Sequence, residues 1–133
     1  MIFLDSNVPM YLVGAPHPNK ELSRQLLHRA VTDGELLVTD AEVLQEILHR
    51  YVAIDRREAI EDAFGAILGV VDEVFPVERA DVLRAQSVLD ASRISARDAV
   101  HVAIMRRRGV TRILTFDEGF DAVPDLVRLT VPG

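Results

Sequence analysis

Short apolar runs alternate along the chain with stretches whose apolar positions recur every three to four residues, the pattern of strands joined through helices. Ile2-Phe3-Leu4 reads as a short buried strand ending at Asp5, and Pro9 suits the first turn of a helix over roughly Val8 to Leu12. Between Asn19 and Thr32 the positions Leu22, Leu26, Leu27, Ala30 and Val31 keep helical spacing, and Gly34 supplies the stop. Leu36-Leu37-Val38 is a second strand. Thr39-Asp40-Ala41-Glu42 then matches a capping box opening a helix with the stripe Val43, Leu44, Ile47, Leu48 and Tyr51. A further helix covers about Arg57 to Leu68. Val70 to Phe75 is a third extended run cut off by Pro76, and Ala80 to Ala91 is helical with Val82, Leu83 and Val88 as its apolar face. Ser95 begins a helix to about Arg108 that Gly109 closes, Arg112 to Phe116 is a fourth strand, and a weak strand covers Val127 to Thr130.

Strands linked through helices pair in parallel with right-handed crossovers, so the expected fold is α/β: an open parallel sheet with helices on both faces. Ligands of such sheets bind beyond the carboxyl ends of the strands. Asp5 and Asp117 both fall there.

Length and composition narrow the class. At 133 residues, 49% hydrophobic and 27% charged, the chain is expected to form one domain over 1–133 with a real core, not a disordered or fibrous protein. No secretory segment or membrane span is expected, which places it in the cytoplasm without a membrane partner. The absence of cysteine leaves carboxylates and histidines as the only candidate metal ligands. A net charge of -6 speaks against a protein that coats nucleic acid generally. It suits a site that concentrates acids around divalent cations, whose charge then restores attraction for phosphate.

Each candidate acid also has an ordinary structural role open to it. Asp5 could cap the helix that starts near Val8, and Asp98 completes a capping pattern from Ser95 while opening a helix that is apolar nearly all round. Glu42 has the capping position after Thr39, so Glu46, a turn deeper and nearer the apolar stripe, is the better site candidate on that helix. Asp117 and Asp121 could serve a turn around Gly119. Together, however, acids at strand ends and early helix turns describe one cluster. Carboxylates brought so close need divalent cations to ionise together, and oxygen-only ligation selects Mg2+ or Mn2+.

The segments Ile2-Phe3-Leu4-Asp5-Ser6-Asn7, Glu46 within Glu42 to Leu48, Ser95 to Ala103 and Leu114 to Asp121 together resemble the motifs of PIN domains, specifically the VapC-type toxins of bacterial toxin-antitoxin pairs, over the whole chain. The resemblance implies a sheet of order 3-2-1-4-5 and a metal-dependent endoribonuclease with the acidic quartet Asp5, Glu46, Asp98 and Asp117. It implies direct metal ligation by Asp5 and Asp98, Mg2+ as cofactor with Mn2+ as a substitute, and supporting roles for Asn7, Thr115 and Asp121. A metal-activated water would cut RNA to leave 5′-phosphate and 3′-hydroxyl ends. A VapB-type antitoxin that inserts a basic residue among the acids, and a homodimer, are implied as partners. The apolar stretch from Ala59 to Val70 would serve either interface or the core.

No histidine is required by this chemistry, and His17, His28, His49 and His101 read as surface or packing residues. The rim arginines that grip RNA are among Arg24, Arg50, Arg97 and Arg106 to Arg108. Three other classes compete. A carboxylate di-iron bundle is prompted by Glu46-Ile47-Leu48-His49 and Asp98-Ala99-Val100-His101, but a bundle does not accommodate the strands. A phosphotransferase with a nucleophilic aspartate after its first strand needs a second acid where Asn7 stands. A PIN-like protein that binds without cutting would not need the complete quartet; a processing nuclease without an antitoxin keeps it.

Overall fold

The computed structural model describes residues 1–129. Five strands form one parallel sheet in the order β3-β2-β1-β4-β5, with β1 at Ile2–Leu4, β2 at Leu37–Asp40, β3 at Glu73–Phe75, β4 at Arg112–Leu114 and β5 at Val127–Leu129. The sheet order is the expected one. Thr130, the expected end of the last strand, lies outside the described residues.

The helices are α1 (Asn7–Val13), α2 (Pro18–Thr32), α3 (Ala41–Ala53), α4 (Ile60–Leu68), α5 (Arg79–Ala91) and α6 (Ala96–Arg108). Right-handed crossovers put α1 to α4 on one face and α5 and α6 on the other. Their packing agrees: α1 contacts α2 and α4, α3 contacts α4, and α5 contacts α6. Between the layers Phe3, Leu4, Leu37, Ile113, Leu114, Val43, Ile47, Ile67, Val102 and Ile104 are all but sealed from water.

Several local expectations change. Leu36 is exposed and the second strand runs on to Asp40, which itself caps α3: its Oδ1 accepts from the Val43 amide at 2.8 Å. Thr39, expected as the cap, instead donates its hydroxyl to the Leu4 carbonyl at 2.8 Å and stitches β2 to β1. Arg57–Ala59 forms a single 3-10 turn ahead of α4, and Val70 and Val71 lie in the turn before β3. Leu48 of the expected α3 stripe is exposed.

The buried face of α5 is Asp81, Ala85 and Val88, whereas Val82 and Leu83 are exposed. These three keep the i, i+4, i+7 spacing of one helix face. A carboxylate can occupy that face because Arg107 of α6 forks onto it, Nε at 2.7 Å and Nη2 at 2.8 Å. Gly109 ends α6 as expected, at φ 69°, and lets the Val110 amide return to the Met105 carbonyl at 2.9 Å.

Candidate metal centre

Register builds the site. Phe3 pairs with Val38 on one side and Ile113 on the other, and Leu4 pairs with Leu114. One step further along the three central strands therefore sets Asp40, Asp5 and Thr115 in a row at the carboxyl edge of the sheet. Side chains in register on parallel strands share a face. All three residues are buried.

Thr115 is the hub of this row. Its hydroxyl donates to Asp5 Oδ2 at 2.7 Å and accepts from Asn7 Nδ2 at 3.0 Å and from the Asp117 amide at 3.1 Å, which uses its full hydrogen-bonding capacity. Asn7 Oδ1 accepts from the Phe116 amide at 3.3 Å, tying α1 to the end of β4. Asp5 Oδ1 takes the Ser6 amide at 2.8 Å. It does not cap α1, whose N-cap residue Ser6 makes no side-chain cap bond.

Glu46 projects from the second turn of α3 and both of its oxygens are engaged. Oε2 accepts from the Ser6 hydroxyl at 3.0 Å, and Oε1 meets His101 Nε2. The other ring nitrogen of His101, Nδ1, bonds Asp40 Oδ2 at 2.7 Å. His101 is therefore not the surface or packing residue expected of it. It is fully buried between two carboxylates, with Phe3 against its ring at 5.4 Å. Burial alone would lower its pKa, but the bonds to Asp40 and Glu46 and their negative charges override that and raise it well above the usual imidazole value. His28 and His49 are exposed, and His17, also exposed, caps α2.

Asp98 occupies the first turn of α6, whose cap is Ser95, accepting from the Asp98 amide at 3.1 Å. Its carboxyl is buried and its pKa is pushed up to about 7, first by burial and then by the charge of Asp5 and, more weakly, Asp117. Asp5 is raised as well, chiefly by burial, with Glu46 adding to the rise and His101 and Thr115 opposing it. Asp117 is exposed, and its Oδ1 caps the following turn through the Gly119 amide at 2.8 Å. Glu42, half-buried, is raised by burial and by Glu46 and Asp40, against the pull of His101 and Arg97.

Asp5 feels the charge of Glu46, and Asp98 those of Asp5 and Asp117, so the four acids lie near one edge, where Asn7 and Thr115 brace Asp5. Asp121 is exposed and pairs with Arg128, which forks onto its carboxylate at 2.9 and 3.0 Å. Residues missed in the sequence are Ser6, Asp40 and His101. Asp40 carried a readable signal, since like Asp5 it is an acid directly after an apolar strand.

The donor set suits a divalent cation. Oxygen atoms of Asp5 and Glu46 lie within 4.8 Å of each other and of a His101 ring nitrogen, and since both nitrogens of that ring are taken up by carboxylates, the acids are the ones free to ligate. Asp98 adds a buried carboxylate close enough to raise its own pKa against Asp5. Asp5 and Asp98 are both held above the ordinary carboxylate range chiefly by burial, with Glu46 adding to the rise at Asp5 and Asp5 to that at Asp98, and a divalent cation between such acids would offset that cost.

Five parallel strands in this order, with acids gathered over the carboxyl ends of the central ones, define the class of α/β proteins that includes PIN domains. The chain belongs to the PIN-domain family and, within it, to the VapC group: the family's sequence profile matches residues 2–126. It is 59% identical over 130 residues to a VapC ribonuclease of Mycobacterium bovis and to Ribonuclease VapC13 of Mycobacterium tuberculosis, covering 97% of this chain and 99% of each relative. Ribonuclease VapC23 of Mycobacterium tuberculosis is 42% identical over 118 residues, 88% of this chain and 93% of that one. Among solved structures, Mycobacterium tuberculosis VapC20, described as a sarcin-ricin loop cleaving toxin, superposes with a TM-score of 0.78 over 98% of this chain and 99% of its own, at 23% identity. VapBC2 of Rickettsia felis, solved on a promoter DNA fragment, gives 0.73 at 12% identity over 97% and 98%. At those identities the likeness is one of fold.

Proposed function

We propose that this protein is a Mg2+-dependent endoribonuclease, with Mn2+ as an effective substitute, acting as the toxin of a type II toxin-antitoxin pair. The observation that carries the reading is the 59% identity, along nearly the whole chain, to proteins named as VapC ribonucleases. The acidic edge supplies the chemistry. Asp5 and Asp98 are the residues that would hold the cation, Glu46 and Asp117 complete the site partly through water, and Asn7 and Thr115 keep Asp5 in place.

A bound divalent cation would supply the positive charge that polarises water and phosphate and steadies the departing oxygen. The protein's own groups do the rest. The Thr115 and Asn7 bonds fix the Asp5 carboxylate, so no reorganisation is needed when substrate arrives. Glu46, held at both oxygens, retains lone pairs that accept a hydrogen from the attacking water. Attack at phosphorus with departure of the 3′-oxygen leaves 5′-phosphate and 3′-hydroxyl ends. Among the candidate rim arginines, Arg106 is paired with Asp125, Arg107 with Asp81 and Arg24 with Glu21. Arg97, half-buried, lies close enough for its charge to act on Glu42 and is the one assigned to a phosphate of the RNA.

The antitoxin assignment follows the VapC relatives and the solved toxin-antitoxin complexes that share the fold, one of them from Klebsiella pneumoniae. Ala63 and Ile67 of the apolar stretch from Ala59 to Val70 belong to the core, which leaves the exposed Leu48, Val52, Ile54 and Leu68 along α3 and α4 for an antitoxin or a second copy in a homodimer. Among the described residues no helix is long and apolar enough to cross a membrane, and the proposed compartment is the cytoplasm. The test is cleavage of RNA by wild type, Asp5→Asn and Asp98→Asn with Mg2+, Mn2+ or EDTA. Metal-dependent cutting by the wild type alone is expected; equal cutting in every tube would overturn the assignment.

A further inference from the structure

We infer that His101 is a positioning residue for the reaction: clamped between Asp40 and Glu46, it fixes the Glu46 carboxylate at the acidic edge and sets how well that edge holds a cation. This rests on the nuclease reading above and names the device that makes its third acid effective.

The geometry has three parts. Asp40 is bifunctional, with Oδ1 capping α3 at the Val43 amide (2.8 Å) and Oδ2 bonding His101 Nδ1 (2.7 Å). The helix that carries Glu46 and the ring that grips Glu46 are therefore anchored on one side chain. His101 then reaches Glu46 Oε1 through Nε2, while Ser6 holds Oε2 at 3.0 Å. Two donors on separate oxygens leave the carboxylate no free rotation. Finally, Asp40 and His101 are both sealed from water, so neither partner of this clamp is replaceable by solvent.

A carboxylate at a cation site that lacked this clamp would spend time in other rotamers or turned towards solvent. Partners that orient ligands of a metal typically change its affinity or activity by ~10–100-fold when removed. His101 touches neither substrate nor reacting atoms in this account; it acts through Glu46. That makes the proposal separable from a merely structural role. A residue that only stabilises the fold should lower activity independently of Glu46, whereas a clamp has nothing to act on once Glu46 has lost its carboxylate.

The experiment is a double-mutant cycle on the full chain with His101→Gln and Glu46→Gln, reading kcat, KM, Mn2+ affinity by calorimetry, and urea stability. His101→Gln should lower kcat by ~10–100-fold and weaken Mn2+ binding by a similar factor, with KM changed by less than about twofold. The double variant should fall no more than about threefold below Glu46→Gln in either quantity, whatever its stability. Losses that multiply, or His101→Gln with wild-type kcat and Mn2+ affinity, would overturn the proposal. If His101→Gln does not fold, the same coupling is read in wild type and Glu46→Gln labelled with 15N-histidine. The His101 Nε2 proton should be slow to exchange in the wild type and shift on Glu46→Gln; an unmoved signal would count against the clamp. A wild type that cuts no RNA with either metal would sink the nuclease reading, while the Mn2+ and NMR arms would still decide the role of His101.

Discussion

Replacing Asp98 with asparagine should make the metal-free protein more stable while abolishing its activity. The carboxyl sits buried near Asp5, and its pKa is raised from 3.8 to about 7. Three units at about 1.36 kcal/mol each give roughly 4 kcal/mol as the cost of ionising it in the folded state. Water reaching the site edge and relaxation of Asp5 reduce that, so a net effect of about 2–4 kcal/mol is expected. The sign follows from linkage. A carboxyl whose folded pKa lies above its unfolded value contributes stability that is complete below the unfolded pKa, near 3.8, and lost as pH rises through about 7. Asparagine matches the carboxyl in shape but does not ionise, so the advantage of Asp98→Asn should be absent near pH 3, grow through pH 5 and 6, and level off above pH 7. Urea unfolding of both proteins in EDTA across that range measures it. With saturating Mg2+ the order should reverse, because the cation stabilises only the site that binds it. A variant less stable than wild type in EDTA at pH 8, or an advantage that does not depend on pH, would refute the electrostatic reasoning.

Three further outcomes follow from the same structure. Divalent-cation affinity, followed by calorimetry from pH 5.5 to 8.5, should fall as pH drops below about 7, because Asp98 must lose its proton to ligate; a flat profile would remove Asp98 from the ligand set. Thr115→Val should cost about 1–3 kcal/mol in urea stability, since the amides of Asn7 and Asp117 lose their acceptor at a buried hub, and should also slow RNA cleavage. Asp81→Ala should cost about 2–4 kcal/mol in thermal unfolding, because it strips Arg107 of its forked partner and the Glu78 amide of its acceptor. The Asp81 pKa is lowered by the Arg107 bonds, so this contribution is present above the unfolded value and lost on acidification through the lower folded one.

The alternation of short apolar runs and helical spacing was enough to place five strands and the helices between them, since a parallel sheet buried on both faces needs unbroken runs such as Ile2 to Leu4. Gly109 and Ser95 marked the ends of α6 because capping is local chemistry, written within a few residues. The acids at strand ends were legible for the same reason: Asp5 and Asp117 follow apolar runs directly. Where sequence reasoning went astray, a partner distant in the chain decided the outcome. Asp81 lies on the buried face of α5 only because Arg107 meets it 26 residues later, and no helical periodicity in α5 announces that. Asp40 caps α3 in place of Thr39 because the Leu4 carbonyl takes the Thr39 hydroxyl across the sheet. His101 sits 55 residues from Glu46, on an apolar stretch where a packing role was the natural reading. Local pattern determined which elements form and where their acids emerge. Strand register and helix packing alone decided that Asp40, His101 and Glu46 would share one buried space, because burial and hydrogen bonding are settled by neighbours in space, not in sequence.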